Sequence, residues 1–468
     1  MRSDMFGRKV ILTKAKQITR DNVLDELKEA MRVHETNRAQ IDYLWNYYKG
    51  NQPVLSRVKK IRPEINNKVV ENRASEIITF KVGYQCGKPI KYVAMNAETQ
   101  VTEKVGALNG IMHLCSKEAN DQELFEWLFV AGTSYRMALP LSDDELDEDM
   151  SPVELYVNDP RNTFIVYSTN VRRRPMMGVK YSVDEKSNVT TYSVYTKDTL
   201  FTIENDQIVD EETTYYGGIP IFEYPASCSA RRIGAFEIVL PLLDAVNDLQ
   251  SNRMDGVAQN IQSFLKFINC GVDKGQMDAL KELGAIMIKA LDGQKADVDT
   301  VKTELDQAQT QTLKQDLLNA IYSIAGMPST SDGSTSDSSN NGAVLLKNGW
   351  ENAETIASQV ENLYKKSEKE MLRFFLRQLR NLGVLDMRLK DIDIKFTRRN
   401  YENIQSKSQV FISMLAAEKC HPLLAFESCG MFSDPEGAYN MSKEWWEANE
   451  AKQQKELDKL TGVGGEDE

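Results

Sequence analysis

Residues 236–268 read FEIVLPLLDAVNDLQSNRMDGVAQNIQSFLKFI. Apolar side chains fall at Val239, Leu242, Leu243, Val246, Leu249, Met254, Val257, Ile261, Phe264, Leu265 and Ile268, one stripe at helical spacing. The spacing predicts one helix through the whole stretch, roughly 50 Å long at 1.5 Å rise per residue. A second stripe at Leu305, Ala308, Leu313, Leu317, Ile321 and Ile324 predicts a helix over 304–325. Between them lies an insert, 270–303, and after them a serine-rich loop, 326–342. A third helix is expected over 343–382, with Gly349 as a kink point. Long helices with one apolar stripe each, joined by a polar loop, suit an elongated subunit that packs beside copies of itself.

In the insert, 276–283 reads as a short helix, and 285–291 with 297–303 reads as a hairpin turned at Asp292-Gly293-Gln294. The alternation Ile286, Ile288, Leu291 needs cover that so small a unit cannot supply, so it should pack on a neighbour.

Upstream, 1–20 reads as a basic arm. Leu24, Leu27, Met31, Ile41, Leu44, Trp45 and Tyr48 mark an amphipathic helix, ended by Gly50 and Pro53. Val70, Ala74, Ile77, Ile78 and Val82 mark a second, and two more are expected at 101–115 and 124–130. From Tyr135 the period falls to two. Strands are expected at 135–139, 153–157, 163–167, 178–183, 189–196 and 200–204, as an antiparallel meander, with a last strand at 217–225. Downstream, Ile392, Ile394 and Phe396 alternate as a strand able to rejoin that sheet, and 403–460 returns to helix. The fold class is therefore α+β, mainly helical.

The chain has 468 residues, 41% hydrophobic and 27% charged, enough for two or three cores. No apolar run reaches the ~18 residues that would cross a membrane, and no signal-peptide core is expected. Its six cysteines lack paired spacing, which fits reduced thiols. The net charge of −12 argues against tight, stationary nucleic-acid binding, which usually needs a basic face. The basic residues Lys365, Lys366, Lys369, Arg373, Arg377 and Arg380 suit a solvated face near a helix C-terminus better than a DNA contact.

Catalytic chemistry is hard to assemble. Gly83-Tyr84-Gln85-Cys86-Gly87-Lys88 has three residues between its glycines where a phosphate loop needs four, and Pro89 replaces the magnesium-binding hydroxyl. The acids of 143–149 lack the spacing of a calcium loop and read as a solvated hairpin tip. Cys420, His421 and Cys429 lack the close pairs of a zinc module and read as a buried thiol pair near a helix end. The other histidines, His34 and His113, fall within helical stretches, and no nucleophile–base arrangement stands out. No catalytic residue, metal or cofactor is expected.

Several stretches, taken in order, resemble the portal proteins of tailed bacteriophages, in the branch of long-tailed phages of Gram-positive hosts. They are YYKGNQPVL (47–55) with Arg57; NNKVVEN (66–72), leading to FKVGY (80–84) and GKPI (87–90); IPIFEY (219–224), then Phe236-Glu237, Leu242-Leu243-Asp244-Ala245 and Asn247; and Asn341-Gly342-Ala343 with Leu346-Lys347. Ala235, where an acid commonly precedes the Phe-Glu pair, and Arg253, where acidic or neutral residues are more usual, depart from the pattern.

The resemblance implies a ring, most often a dodecamer, at one capsid vertex. Residues 1–235 with 382–402 would form the wing. Residues 236–269 and 304–325 would form the stem, 270–303 the clip, 326–342 the tunnel loop, 343–381 a long kinked helix, 403–461 the crown and 462–468 a disordered tail. Implied partners are the terminase large subunit, a head-completion or adaptor protein, the major capsid and scaffolding proteins, and double-stranded DNA passing without sequence preference. No membrane is implied. The virion's portal vertex, reached from the host cytoplasm during assembly, is the implied location. Ser329, Ser331, Asp332, Ser334, Ser336, Asp337, Asn340 and Asn341 would face DNA; Ile286, Ile288, Leu291, Asp292 and Gln294 would dock the motor. Two rivals differ in what they require. A nuclease subunit needs a metal-binding acid cluster; a helical scaffold or adaptor of the virion forms no open-bored ring.

Overall fold

The alternation that begins at Tyr135 becomes two sheets rather than one. In the computed structural model, which describes residues 7–60, 63–95, 99–141, 150–227, 231–261, 264–268, 270–271, 289–290, 297–301, 307–328, 349–397, 404–417, 420–432 and 435–460, the chain is mainly helical α+β. It divides into two compact units: Met1–Lys49 with Ala74–Ile238 and Tyr322–Glu468, and Gly50–Arg73 with Val239–Ile321.

In the first unit the elements run β1 (Arg8–Lys9), β2 (Ile11–Thr13), α1 (Val23–Tyr48), α2 (Arg73–Cys86, from its second residue), β3 (Lys91–Ala94), α3 (Thr99–Leu114) and α4 (Lys117–Ala131). They continue with β4 (Thr133–Pro140), β5 (Val153–Asn158), β6 (Thr163–Ser168), β7 (Pro175–Val183), β8 (Thr190–Tyr195), β9 (Thr199–Glu204), β10 (Gln207–Thr213), β11 (Ile221–Pro225) and β12 (Arg231–Arg232). The antiparallel run β6 to β10 is the expected meander, extended at its other edge by β2, which pairs in parallel with β6. The expected strands around Tyr135 and Val153 leave it for a separate sheet ordered β11-β4-β5.

Burial on both faces explains this division. On β6, Phe164 and Val166 join Met177, Val179, Val194 and Phe201 under Val23, Leu27 and Ala30 of α1. The intervening Ile165 points the other way, to Tyr135, Met137 and Ile221 of the smaller sheet. The stripe on α1 continues through His34, Asn37, Ile41 and Leu44 at alternating steps of three and four residues. Trp45 near its end stacks on Trp127 of α4 at 4.1 Å.

The basic-arm expectation fails at Arg8. That residue is buried, and β1 pairs with β12. A charged residue can enter a core where a fixed carboxylate waits for it, and here Glu237 does.

In the second unit lie α5 (Leu240–Ile261), β13 (Phe264–Ile268), β14 (Cys270–Gly271), β15 (Lys289–Ala290), β16 (Asp297–Val301) and most of α6 (Gln307–Ala325). The helix predicted through Ile268 stops at Ile261. Phe264-Leu265-Lys266-Phe267-Ile268 fits either period, and its aromatic and branched residues suit a pleat, where Asp297–Val301 supplies the ladder. The hairpin expected between 285–291 and 297–303 is replaced accordingly: β16 pairs with β13, and β15 with β14.

Returning to the first unit, α7 (Trp350–Asn381) begins one residue after Gly349, whose φ is 76°; the expected helical residues 343–348 before it lie outside the described residues. β17 (Ile392–Lys395) pairs with β3, not with the large sheet. The C-terminal region is helical as expected, in α8 (Ile404–Leu415), α9 (Pro422–Cys429) and α10 (Pro435–Leu460).

Gly132 joins α4 to β4 at φ 76°, and a Cβ there would lie 2.7 Å from the Arg232 carbonyl oxygen. Gly132→Ala should therefore cost about 1–3 kcal/mol of unfolding free energy. Gly106→Ala, inside α3 with nothing within 4 Å of a new Cβ, should stabilise by about 0.5–1 kcal/mol. Thermal melts that rank the two variants the other way would sink this account.

Candidate functional site

Every residue expected to face DNA (Ser329, Ser331, Asp332, Ser334, Ser336, Asp337, Asn340, Asn341) or to dock a motor (Ile286, Ile288, Leu291, Asp292, Gln294) lies outside the described residues, as do the acids of 143–149 and the tail 462–468. What the structure brings together instead are two polar constellations, one in each unit.

The first lies along α5. Asn247, Ser251 and Asp255 sit four residues apart and are buried, at 1%, 0% and 4% exposure. An extended segment runs antiparallel to them. Asn67 N donates to Asp255 Oδ1 (2.7 Å), Val69 N to Ser251 Oγ (3.0 Å) and Glu71 N to Asn247 Oδ1 (2.8 Å). The registers match because four helical residues rise about 6.0 Å and two extended residues about 6.6 Å. A strand without a sheet thus finds acceptors for alternate backbone N–H groups on the side of a helix.

Side chains lock the ends of this strap. Asn247 Nδ2 donates to Gln52 Oε1 (2.5 Å), and Gln52 Nε2 to Asn72 Oδ1 (2.9 Å). Asp255 accepts from Lys59 Nζ (2.9 Å) and pairs with Arg57 (3.2 Å). Burial would raise its pKa, but Lys59 and the Asn67 amide hold it below the usual carboxylate range. Glu71 receives Gln250 Nε2 from α5 (2.8 Å) and Lys314 Nζ from α6 (2.9 Å). Arg253 also spans the two helices, donating to Gln311 Oε1 (3.1 Å). The stretches 47–57 and 66–72, read above only as a resemblance, carry this strap.

The second constellation is a charge cluster under α7. Arg136 on β4 pairs with Glu368 (3.0 Å) and with Asp121 of α4 (2.5 Å). Lys117 Nζ lies 2.6 Å from Asp121 and 3.2 Å from Glu368. Tyr92 and Tyr224 hydroxyls donate to Glu368 at 2.6 and 2.5 Å, and the Tyr364 hydroxyl donates to Asp121 at 2.8 Å. All four charged side chains are at most 4% exposed, and two cations balance two carboxylates. Burial alone would raise the Glu368 pKa; Lys117 and Arg136 reverse this and carry it down to about 2. Burial also pushes the three tyrosines well above their ordinary range. A fourth buried carboxylate, Glu237, accepts Gly7 N (2.7 Å), Gly234 N (2.8 Å) and the Arg8 guanidinium.

The remaining candidates are structural. His34 is buried with Nε2 2.9 Å from the Arg161 carbonyl oxygen, and burial takes its pKa down to about 4. His421 caps α9 by accepting from Leu423 N. The expected buried thiol pair is half right: Cys429 is buried, Cys420 only partly. Among the described residues, no group of three or more His, Cys, Asp or Glu converges to hold a metal ion, and no helix is long and apolar enough to cross a membrane. Lys366, Lys369, Arg373, Arg377 and Arg380 on α7 are exposed, and Lys365 pairs with Glu361 at 2.6 Å.

Straps and neutralised clusters hold long elements in place, the equipment of a framework protein. The particular framework follows from the family model described as "Phage portal protein, SPP1 Gp6-like", which matches residues 27–456. The chain belongs to that family: it is a phage portal protein, a head–tail connector component of the capsid vertex. No curated protein matches it in sequence. Among solved structures, a chain of the "Neck of empty GTA particle computed with C6 symmetry" is similar at 12% identity, with 76% of this chain and 90% of that chain covered and a TM-score of 0.47.

Ser251→Ala would leave the Val69 N–H buried without its acceptor, at a cost of about 1–3 kcal/mol. Amide exchange at Val69 should accelerate while that in β6 to β9 stays slow; unaltered protection at Val69 would refute the strap. Glu368→Gln should cost about 3–5 kcal/mol at neutral pH, since it strands buried cations. Because the folded pKa of Glu368 is depressed, its stabilisation is present above the ordinary value of 4.5 and is lost as pH falls towards about 2. The gap between wild type and variant should close over that interval; a gap that is constant from pH 7 down to pH 2 would count against the assignment.

Proposed function

We propose that the protein forms a closed ring whose bore passes double-stranded DNA into and out of the capsid. Membership of the portal family over residues 27–456 carries this reading. In it, 1–235 with 382–402 form the wing, 236–269 and 304–325 the stem, 270–303 the clip, 326–342 the tunnel loop, 343–381 a long helix and 403–461 the crown. The direct contact Arg253–Gln311 between α5 and α6, and Glu71 of the strap, which receives Gln250 of α5 and Lys314 of α6, support a paired-helix stem.

The clip docks the terminase large subunit during packaging and a head-completion or adaptor protein afterwards. The wing and crown meet the capsid and scaffolding proteins. ATP hydrolysis belongs to the separate motor, and this chain supplies the conduit. A net charge of −12 per subunit, multiplied around a ring, repels phosphate and lowers friction. Residues 328–341 hold six serines, two threonines, two asparagines and two aspartates, with no lysine or arginine from 315 to 346. Their hydroxyls and amides make brief contacts with phosphate, while Asp332 and Asp337 oppose lasting attachment.

Electron micrographs of the purified protein should show rings with a central hole. Rings of the Asp332→Lys, Asp337→Lys variant should assemble but package DNA slowly, and recover as salt screens the added attraction. The absence of rings at any salt would overturn the assembly. Wild-type packaging by double-lysine rings at low salt would remove the loop from the DNA path.

A further inference from the structure

The hairpin between β6 and β7 carries Thr169-Asn170-Val171-Arg172-Arg173-Arg174 at its tip. All six residues are exposed, and Val171 is fully so, at 103%. The tip is nevertheless well ordered. Arg172 N donates to Asn170 Oδ1 (3.2 Å), Arg173 N to the Asn170 carbonyl (3.0 Å) and Arg174 N to Ser168 Oγ (3.0 Å). Ser168 N returns to the Arg174 carbonyl (2.9 Å), and Arg173 takes a left-handed φ of 42°. Among the described residues, none of the three guanidinium groups forms an ion pair.

That arrangement is costly for a mere turn. Three adjacent like charges repel one another, and a left-handed residue is usually Gly or Asn. Serine or asparagine would close the same hairpin without either penalty. The protein as a whole carries −12, so these cations do not follow from a basic composition. Exposed guanidinium groups without an ion pair, carried on an ordered backbone turn, are suited to bidentate capture of carboxylates or phosphates.

Val171 separates those two. At the apex, beside the arginines, its isopropyl group gains only if it enters an apolar recess. A phosphate backbone offers none, whereas a protein surface with carboxylates around an apolar pocket offers both. We infer that the tip 169–174 is a docking prong for an acidic protein surface with an apolar recess. This inference is independent of the channel reading, since it uses no residue assigned to the stem, clip or tunnel loop.

The test uses the full-length protein and two labelled probes: a peptide in which glutamates flank paired leucines, and a short DNA duplex. Fluorescence anisotropy at low salt compares wild type, the triple variant Arg172→Ala, Arg173→Ala, Arg174→Ala, and the single variant Val171→Ser. Wild type should bind the peptide, and more weakly as salt rises. The triple variant should lose about tenfold in affinity, and Val171→Ser should lose a few-fold with all charges kept. Two results would overturn the inference. One is a peptide affinity absent in wild type or unmoved by the triple variant. The other is a duplex bound more tightly than the peptide and indifferent to Val171→Ser, which would assign the tip to nucleic acid.

Discussion

A carboxylate with no access to water must be met by cations and hydroxyls, and Glu368 is such a carboxylate. It projects from α7 at 0% exposure and is met by Arg136, Lys117, Tyr92 and Tyr224. Those four side chains come from β4, α4, β3 and β11. None of these elements can shift without stranding charge in a medium where an unpaired ion costs several kcal/mol. The burial of one acid therefore fixes the mutual placement of a long helix, a short helix and three strands. Apolar packing alone would tolerate sliding, because methyl groups accept many neighbours; a saturated carboxylate accepts few.

The second unit solves a related problem by different means. A lone extended segment has backbone N–H groups and no sheet to receive them. Three side-chain acceptors spaced four apart on α5 supply what a neighbouring strand would. Side-chain acceptors are slightly adjustable, and this absorbs the ~0.6 Å by which two extended residues outrun four helical ones. The helix so dressed buries Asn247, Ser251 and Asp255 beside Leu243 and Val246, whereas Met254 and Val257 of the expected apolar stripe are exposed. Helix α5 thus gains a lengthwise clamp from residues 67–71 without a second strand.

Much of this was legible in the sequence, and the exceptions share a cause. Helix α1 was readable because apolar residues at helical spacing mark both its ends, with the buried His34 and Asn37 between them, and Gly50-Asn51-Gln52-Pro53 stops it. The strands from Thr163 to Glu204 were readable because they alternate between turns of obvious chemistry. Phe264–Ile268 was misread because five apolar-rich residues satisfy two periods, and only the partner strand decides between them. Arg8 read as part of a basic arm because nothing local announces that Glu237, over two hundred residues away, will bury it. Asn247, Ser251 and Asp255 were hidden in plain view: a search for apolar spacing passes over small polar residues at the same interval. The resemblance had already singled out NNKVVEN and Asn247, without the reason that geometry now supplies.

The distribution of charge follows from the same principle. Three cations, Arg8, Lys117 and Arg136, lie buried opposite Glu237, Asp121 and Glu368, and buried Asp255 meets the less enclosed Arg57 and Lys59. Among the described residues, interior charge is thus largely cancelled locally. Low dielectric enforces that cancellation inside, where each unpaired charge is expensive. Water relaxes it outside, where a single sign can be sustained over a wide area. In a chain of net charge −12, a compact exposed positive feature stands out to an approaching partner. The exposed arginines of 172–174, carried on a hydrogen-bonded hairpin turn, are therefore a local inversion of the field and not part of a general basic character.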